Sequence, residues 1–553
     1  QFQSENRGAI KTPQSRWIDS IAYHTMTGEC YYHMGRLPEA LEHYTSALQL
    51  YVAFSGWMMR VQFPPAIRTA SVGARTPVPW GQSTRNSQLG YYPESYLIGQ
   101  GQIDQSKVVQ QGGVVQQAQL KPINVKEIIR TTTLAMRRRA ELLGPVAQHD
   151  SLTQEVLAAL VRRPGLPNHW SEAWIDVQLG LAYAAAGKDV EAAQHLQRGL
   201  VAAGRYDHPF TSVALVELGR LALRQGNYDA AAKFFLEATY SAVYYTDLGV
   251  LEDAFRLGAL THILSGRKGM YPPLAPAVAW AKTKGYRQLQ ASLLLCAAEN
   301  QATHGNSRDA GVLLDQARGV IGRRAMGQGA IGGRMQYLSA LVFFQQGRMA
   351  QGDAALTAAM QYMRIGSRWL LHIALADKLY TSNAATARVA MDLYEQVLRD
   401  PQPADWSSDP MESLAVLLTP HPGPLERWFE VSLARNEHEK ALEIGDRLRR
   451  HRYFSMLPLG GRLQSLRWVL HGPETALDRQ SILLRQDLLT RYPAYAELAK
   501  QSDALRAELR ALPLSPEDTE TMTQQRKLIE AMTACSLQQE TILREMALRR
   551  EPA

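Results

Sequence analysis

Cysteine is scarce in this chain: three in 553 residues, Cys30, Cys296 and Cys535, all far apart. That count excludes a disulfide scaffold, and the spacing excludes a zinc site built on closely paired thiolates. Each cysteine lies in a helical pattern and reads as a small buried residue. Cys30, although near His24 and His33, is assigned to the apolar interior and not to a metal. Long apolar runs are lacking too. The best stretches, such as LQASLLLCAA, fall far short of the roughly 18 residues that span a bilayer. An excess of one charge is also missing: 60 Lys and Arg stand against 52 Asp and Glu, net +8. The two dense basic clusters, Arg137–Arg139 and Arg447–Arg452, fall in predicted helices and read as solvated faces. Nucleic acid is therefore set aside as a partner.

Catalytic spacings are missing as well. No phosphate-binding Gly-x-x-x-x-Gly-Lys-Ser/Thr occurs, no Gly-x-Ser-x-Gly elbow, and no His-Glu-x-x-His zinc helix. GQGAIG at Gly327–Gly332 has the dinucleotide spacing but follows the end of a helical pattern. Without a preceding strand it reads as a loop. No catalysis, cofactor or metal is expected from this chain. It begins at Gln1 without methionine. A piece of a longer protein or a processed secretory end would both start so, and the small polar start favours an envelope or secreted location.

What is present is a repeat. GECYYHMGRLPEALEHYTSALQLY places Gly28, Tyr31, Gly35, Ala40, Tyr44 and Ala47 at gaps that recur. Gly180, Tyr183, Gly187, Ala192, Leu196 and Gly199 follow the same gaps, as do Gly219, Ala222, Gly226, Ala231, Phe235 and Ala238. Further copies start near Ala298 and Ala340, with weaker ones at Gly258, Trp369 and Trp428. Small residues let two helix axes approach to about 8–10 Å, the aromatic fills the gap beside them, and the middle glycine takes the bend. One such hairpin cannot bury its own apolar face and has to stack on the next.

This spacing resembles the tetratricopeptide repeat, from Trp17 to about Leu448. The resemblance implies an all-α superhelix, a solenoid of roughly seven to nine helical hairpins. The copies depart from the family in period, stepping by 39 to 42 residues where about 34 is usual. Such a fold implies a protein–protein interaction scaffold, its inner surface lined by the first helix of each pair. On this register Tyr32, His33, Arg220, Arg224, Phe344 and Gln345 point inward as candidate partner contacts. The family's lysine–asparagine clamp for a peptide carboxylate is not found.

Four segments are predicted: a first helical pair at 1–56, an irregular insert at 57–122, a repeat array at 123–475 and a helical hairpin at 476–553. The insert is rich in Pro, Gly, Gln and Tyr, with a β-hairpin expected around Gly112-Gly113. Trp80, Tyr91, Tyr92 and Tyr96 are its candidate partner anchors. In the last segment leucines recur at three- and four-residue steps among alternating charges, as in an antiparallel helical pair. An array followed by such a hairpin resembles the region before the protease domain of CHAT-family proteins, which implies a regulatory part of a larger enzyme. A histidine and cysteine encoded beyond Ala553 would favour that alternative. The other alternative is a structural subunit of a cell-envelope or surface assembly, homo-oligomeric through the insert.

Overall fold

The structure is a computed structural model, and it describes residues 18–70, 77–100, 112, 119–322 and 328–550. The chain divides into two compact units. The first gathers Gln1–Ala297, Ala317–Ile331 and Ile365–Arg399, and the second Ala298–Gln316, Gly332–Arg364 and Asp400–Ala553.

The first unit opens with the pair α1 (Ile21–His33) and α2 (Leu37–Ala53). After the insert come α3 (Val125–Leu143), α4 (Ser151–Val161), α5 (Glu172–Ala185), α6 (Asp189–Arg198), α7 (Thr211–Arg224), α8 (Tyr228–Tyr244), α9 (Leu248–Leu264) and α10 (Leu274–Thr283). Next in the chain, α11 (Arg287–Thr303) and α12 (Ser307–Ile321) divide between the units, α13 (Ala330–Gln345) and α14 (Met349–Gly366) lie mainly in the second, and α15 (Arg368–Thr381) and α16 (Ala387–Val397) lie in the first.

The recurring gaps have a direct structural cause. A Cβ on Gly28 would come 2.7 Å from the Tyr44 ring, one on Gly180 would meet Leu196 at 2.6 Å, and one on Gly219 would meet Phe235 at 2.5 Å. Each small residue of a first helix thus receives the large residue sixteen positions later on the second. Ala40, Ala192, Ala231 and Ala310 are fully buried along the second helices. The bends are equally regular. Gly187 and Gly226 take φ of 74° and 72°, the left-handed region that costs glycine little. In the two weakest copies Asn383 and Asn436 hold that bend at φ of 56° and 60°, asparagine being the side chain that tolerates it best.

We expect Gly219→Leu to lower stability by about 1–3 kcal/mol, since Phe235 is fully buried and cannot yield. That exceeds the roughly 1 kcal/mol gained by removing a helical glycine. An unchanged thermal melt would contradict the packing.

The insert departs from an all-α fold. Strands β1 (Val61–Gln62), β2 (Arg68–Thr69), β3 (Gln88–Tyr91), β4 (Tyr96–Gln100) and β5 (Gln119–Ile123) lie in it, and β6 (Tyr206–Asp207) lies between α6 and α7. They form two small sheets, ordered β1-β4-β5 and β2-β3-β6. Strands β3 and β6 run parallel, with Leu89 opposite Asp207, so a repeat loop supplies an edge for the insert. The hairpin expected around Gly112-Gly113 falls largely outside the described residues.

The second unit adds α17 (Pro403–Ser408), α18 (Pro410–Leu418), α19 (Pro422–Ala434), α20 (His438–Phe454) and α21 (Arg462–His471). It closes with α22 (Arg479–Arg491), α23 (Pro493–Ala511) and α24 (Thr519–Leu548). The expected C-terminal hairpin is α23 against α24, with Cys535 buried at the seam, its Sγ 3.2 Å from the Leu498 carbonyl. Its first arm is shorter than expected. Pro493 has no N–H to donate, so the arm breaks there into α22 and α23. Among the described residues no helix is long and apolar enough to cross a membrane.

Candidate functional site

Helix α3 organises a charged site in the first unit. Asn124 caps its start, accepting from the Glu127 amide at 3.0 Å. It packs against α1, α2 and α5, which covers it on several sides. The cluster Arg137–Arg139, expected to be a solvated face, is buried instead, at 8%, 8% and 5% exposure. Successive residues on a helix point about 100° apart, so the three guanidinium groups enter three different surroundings.

Arg137 donates to Glu217 of α7 and to Asp253 of α9, both at 2.8 Å. Arg138 donates to Glu29 of α1 at 3.2 Å and to Glu141 of its own helix at 3.1 Å. Its guanidinium carbon lies 4.4 Å from the centre of the Tyr32 ring. Arg139 turns the other way, to Asp150 at 2.7 Å and Thr45 at 3.0 Å. Buried charge survives only when paired and hydrogen-bonded, and here every guanidinium has carboxylate partners. The second basic cluster behaves as expected, with Arg449, Arg450 and Arg452 exposed.

The surroundings shift the acids. Burial pushes the Glu29 carboxyl up, but Arg138 and His33 outweigh it and hold it at about 2. Glu141 and Asp253 are also buried; Arg368 and Arg138 hold the first far below the carboxylate range, and Arg138 and Arg137 the second. The Tyr32 phenol is pushed up to about 12 by burial and by the Glu141 charge. It donates to Glu141 at 3.0 Å. The three carboxyls are therefore anions at neutral pH, each tied to a cation.

A cavity of about 540 Å³ opens beside this network, lined among others by Glu29, Cys30, His33, Arg130, Asp247 and Asp253. Tyr286 and Arg287, at the start of α11, form part of its wall. Cys30 is exposed here and does not lie in the apolar interior as expected. It sits on the opposite side of α1 from the buried Gly28 and Thr25, so its thiol faces solvent.

Of the candidate contacts, the structure brings three together. His33 lies 3.6 Å from Glu29, Tyr32 lies under Arg138, and Arg220 is 3.5 Å from Glu217 and 3.9 Å from Asp253. Arg224 lies apart, exposed and paired with Asp189 at 2.8 Å. Two others are corrected. Phe344 is a core side chain, 2% exposed, and fills the space left by Gly352. Gln345 donates to the Ala302 carbonyl at 2.8 Å inside the second unit.

The insert's anchors mostly face the chain itself. Trp80 donates to Thr239 at 2.9 Å and lies edge-on to Phe255 and Trp280. Tyr92 is buried against Trp170 and Trp174, and Tyr96 against Phe63. Only Tyr91 of the four is exposed, at 58%. Polar contacts complete the attachment: Ser83 and Thr84 both donate to Glu237, at 2.6 Å and 2.8 Å, and Arg85 pairs with Asp207 at 2.8 Å.

The residues missed by sequence reasoning are the acids. Glu29, Glu217 and Asp253 each interrupt a run of small and apolar residues in a first helix. An acid in such a run signals a waiting cation, although nothing in the run names the cation.

No curated protein matches the chain. Residues 171–239, which cover α5 to α7 and most of α8, match the tetratricopeptide repeat family. Together with the recurring helical pairs on either side, that match supports a tetratricopeptide repeat protein, of a kind whose repeats commonly mediate protein–protein interaction.

Proposed function

We propose that this chain acts by binding other proteins, through the charged cavity of its first unit, and carries no catalysis of its own. One observation supports this most: charged side chains from α1, α3 and α9 converge on one cavity, and Glu29, Arg137, Arg138 and Asp253 are already tied up in ion pairs there. Ion pairs inside the wall fix its shape. Arg130 and Arg287 remain at least partly exposed and present charge to a partner, and His33 adds a polar edge. Such charges steer encounter and set specificity more than they add raw affinity. The buried insert tyrosines favour the cavity over the insert as the contact.

Cys30 supplies the test, because Cys296 and Cys535 are buried and only this thiol is open to labelling. A photo-crosslinker attached there should capture a defined partner from the native source. Capture should fall about tenfold when His33→Glu and Arg287→Glu place two carboxylates on the rim. Equal capture by the variant would refute the cavity as the binding site.

A further inference from the structure

Helix α24 ends on the repeat helices of the second unit in the manner of a bound ligand. The last carbonyls of any helix lack partners within it and carry the negative end of its dipole. Here they are met by donors from elsewhere in the unit: Tyr337 of α13 donates to the Leu548 carbonyl, and Arg462 donates to that of Ala547 at 3.0 Å. Met546 and Leu548 are buried, at 3% and 0% exposure. At Arg549 the backbone leaves the helix for an extended conformation, and Arg550 follows. Arg549 donates to the Thr303 carbonyl, and Arg550 donates to Glu299 of α11 at 3.1 Å.

Glu299 follows the small residue Ala298 as Glu29 follows Gly28, so the two acids hold the same repeat position. Each receives an arginine from outside its own helical pair, Arg138 in one case and Arg550 in the other. Glu299 has a second partner, Arg334, at 2.6 Å. Departure of Arg550 would therefore not strand a buried anion, and the seat can persist empty.

We propose that this seat recognises a helix end of the form apolar–Arg–Arg, filled in this chain by its own Leu548–Arg550 and open to a partner protein with the same ending. The inference rests on the reading that these repeats bind protein segments. It adds the chemistry of the segment: a helix C-terminus with an apolar last turn, followed by two cations.

The probe is a labelled synthetic peptide of residues 536–550, added to the full chain and followed by fluorescence anisotropy. A chain carrying L548D and R550A, its own segment released, should bind the peptide about tenfold more tightly than the wild type does. Adding Glu299→Gln to that chain should weaken binding about tenfold. Equal affinity of released and wild-type chains, or indifference to Glu299→Gln, would overturn the proposal. If circular dichroism shows that the released chain does not fold, hydrogen exchange decides in its place. Glu299→Gln in the otherwise intact chain should speed exchange in the last two turns of α24 while α19 and α20 keep their protection. Unchanged exchange there would overturn it equally. Labelling at Cys30 does not involve this seat, so a failure here leaves the cavity reading standing.

Discussion

Arg137→Met should destabilise the first unit by about 3–5 kcal/mol, the cost of removing one partner from a buried ion pair. The substitution leaves Glu217 and Asp253 facing each other without the guanidinium that bridges them at 2.8 Å to each. Arg220 offers partial cover at 3.5 Å and 3.9 Å, which sets the effect nearer the lower figure. Methionine keeps most of the side-chain length, so the loss is electrostatic more than steric. Adding Glu217→Gln and Asp253→Asn should recover much of the stability, because the uncompensated charge is then gone. The chain has two units and need not unfold in one step, so the measurement is the lowest-temperature transition in calorimetry. A shift equivalent to less than 1 kcal/mol would show that α3 is not held by its arginines.

Trp80→Ala should cost about 3–5 kcal/mol locally, as expected for emptying an aromatic-sized site. Trp80 closes the insert onto α8, α9 and α10 through Thr239, Phe255 and Trp280, and its loss leaves Glu237 and Asp207 as the remaining nearby tethers. The expected result is a detached insert on an intact set of helices. Limited proteolysis should cut within residues 77–100 much faster than in the parent, while the helical circular dichroism signal stays the same. Unchanged cleavage would mean that the pairing of β3 with β6 holds the insert without the tryptophan. Global loss of helix would mean that the insert is part of the repeats' own core.

The repeats were legible in the sequence because their cause is local. Gly28 and Tyr44, Gly180 and Leu196, and Gly219 and Phe235 meet across one short bend, so a fixed separation along the chain guarantees the contact. The bends were legible for the same reason, since Gly187 and Gly226 occupy a conformation that few other residues accept.

The site is different in kind. Arg137 meets Glu217 and Asp253 across 80 and 116 residues, and Arg550 meets Glu299 across 251. No periodicity links such partners, because stacking of successive pairs brings them together and that stacking belongs to the whole unit. The sequence shows three adjacent arginines, and adjacent charges on a helix are most often solvated. Only packing of α3 against α1, α2 and α5 turns them inward. The insert follows the same logic. Its tyrosines and Trp80 were visible as large amphipathic side chains, but whether they face a partner or their own chain depends on where the repeats place Trp170, Trp174 and Phe255. Local steric rules determine the helices and bends of this protein, while the pairing of its buried charges follows from distances that exist only once those helices have stacked.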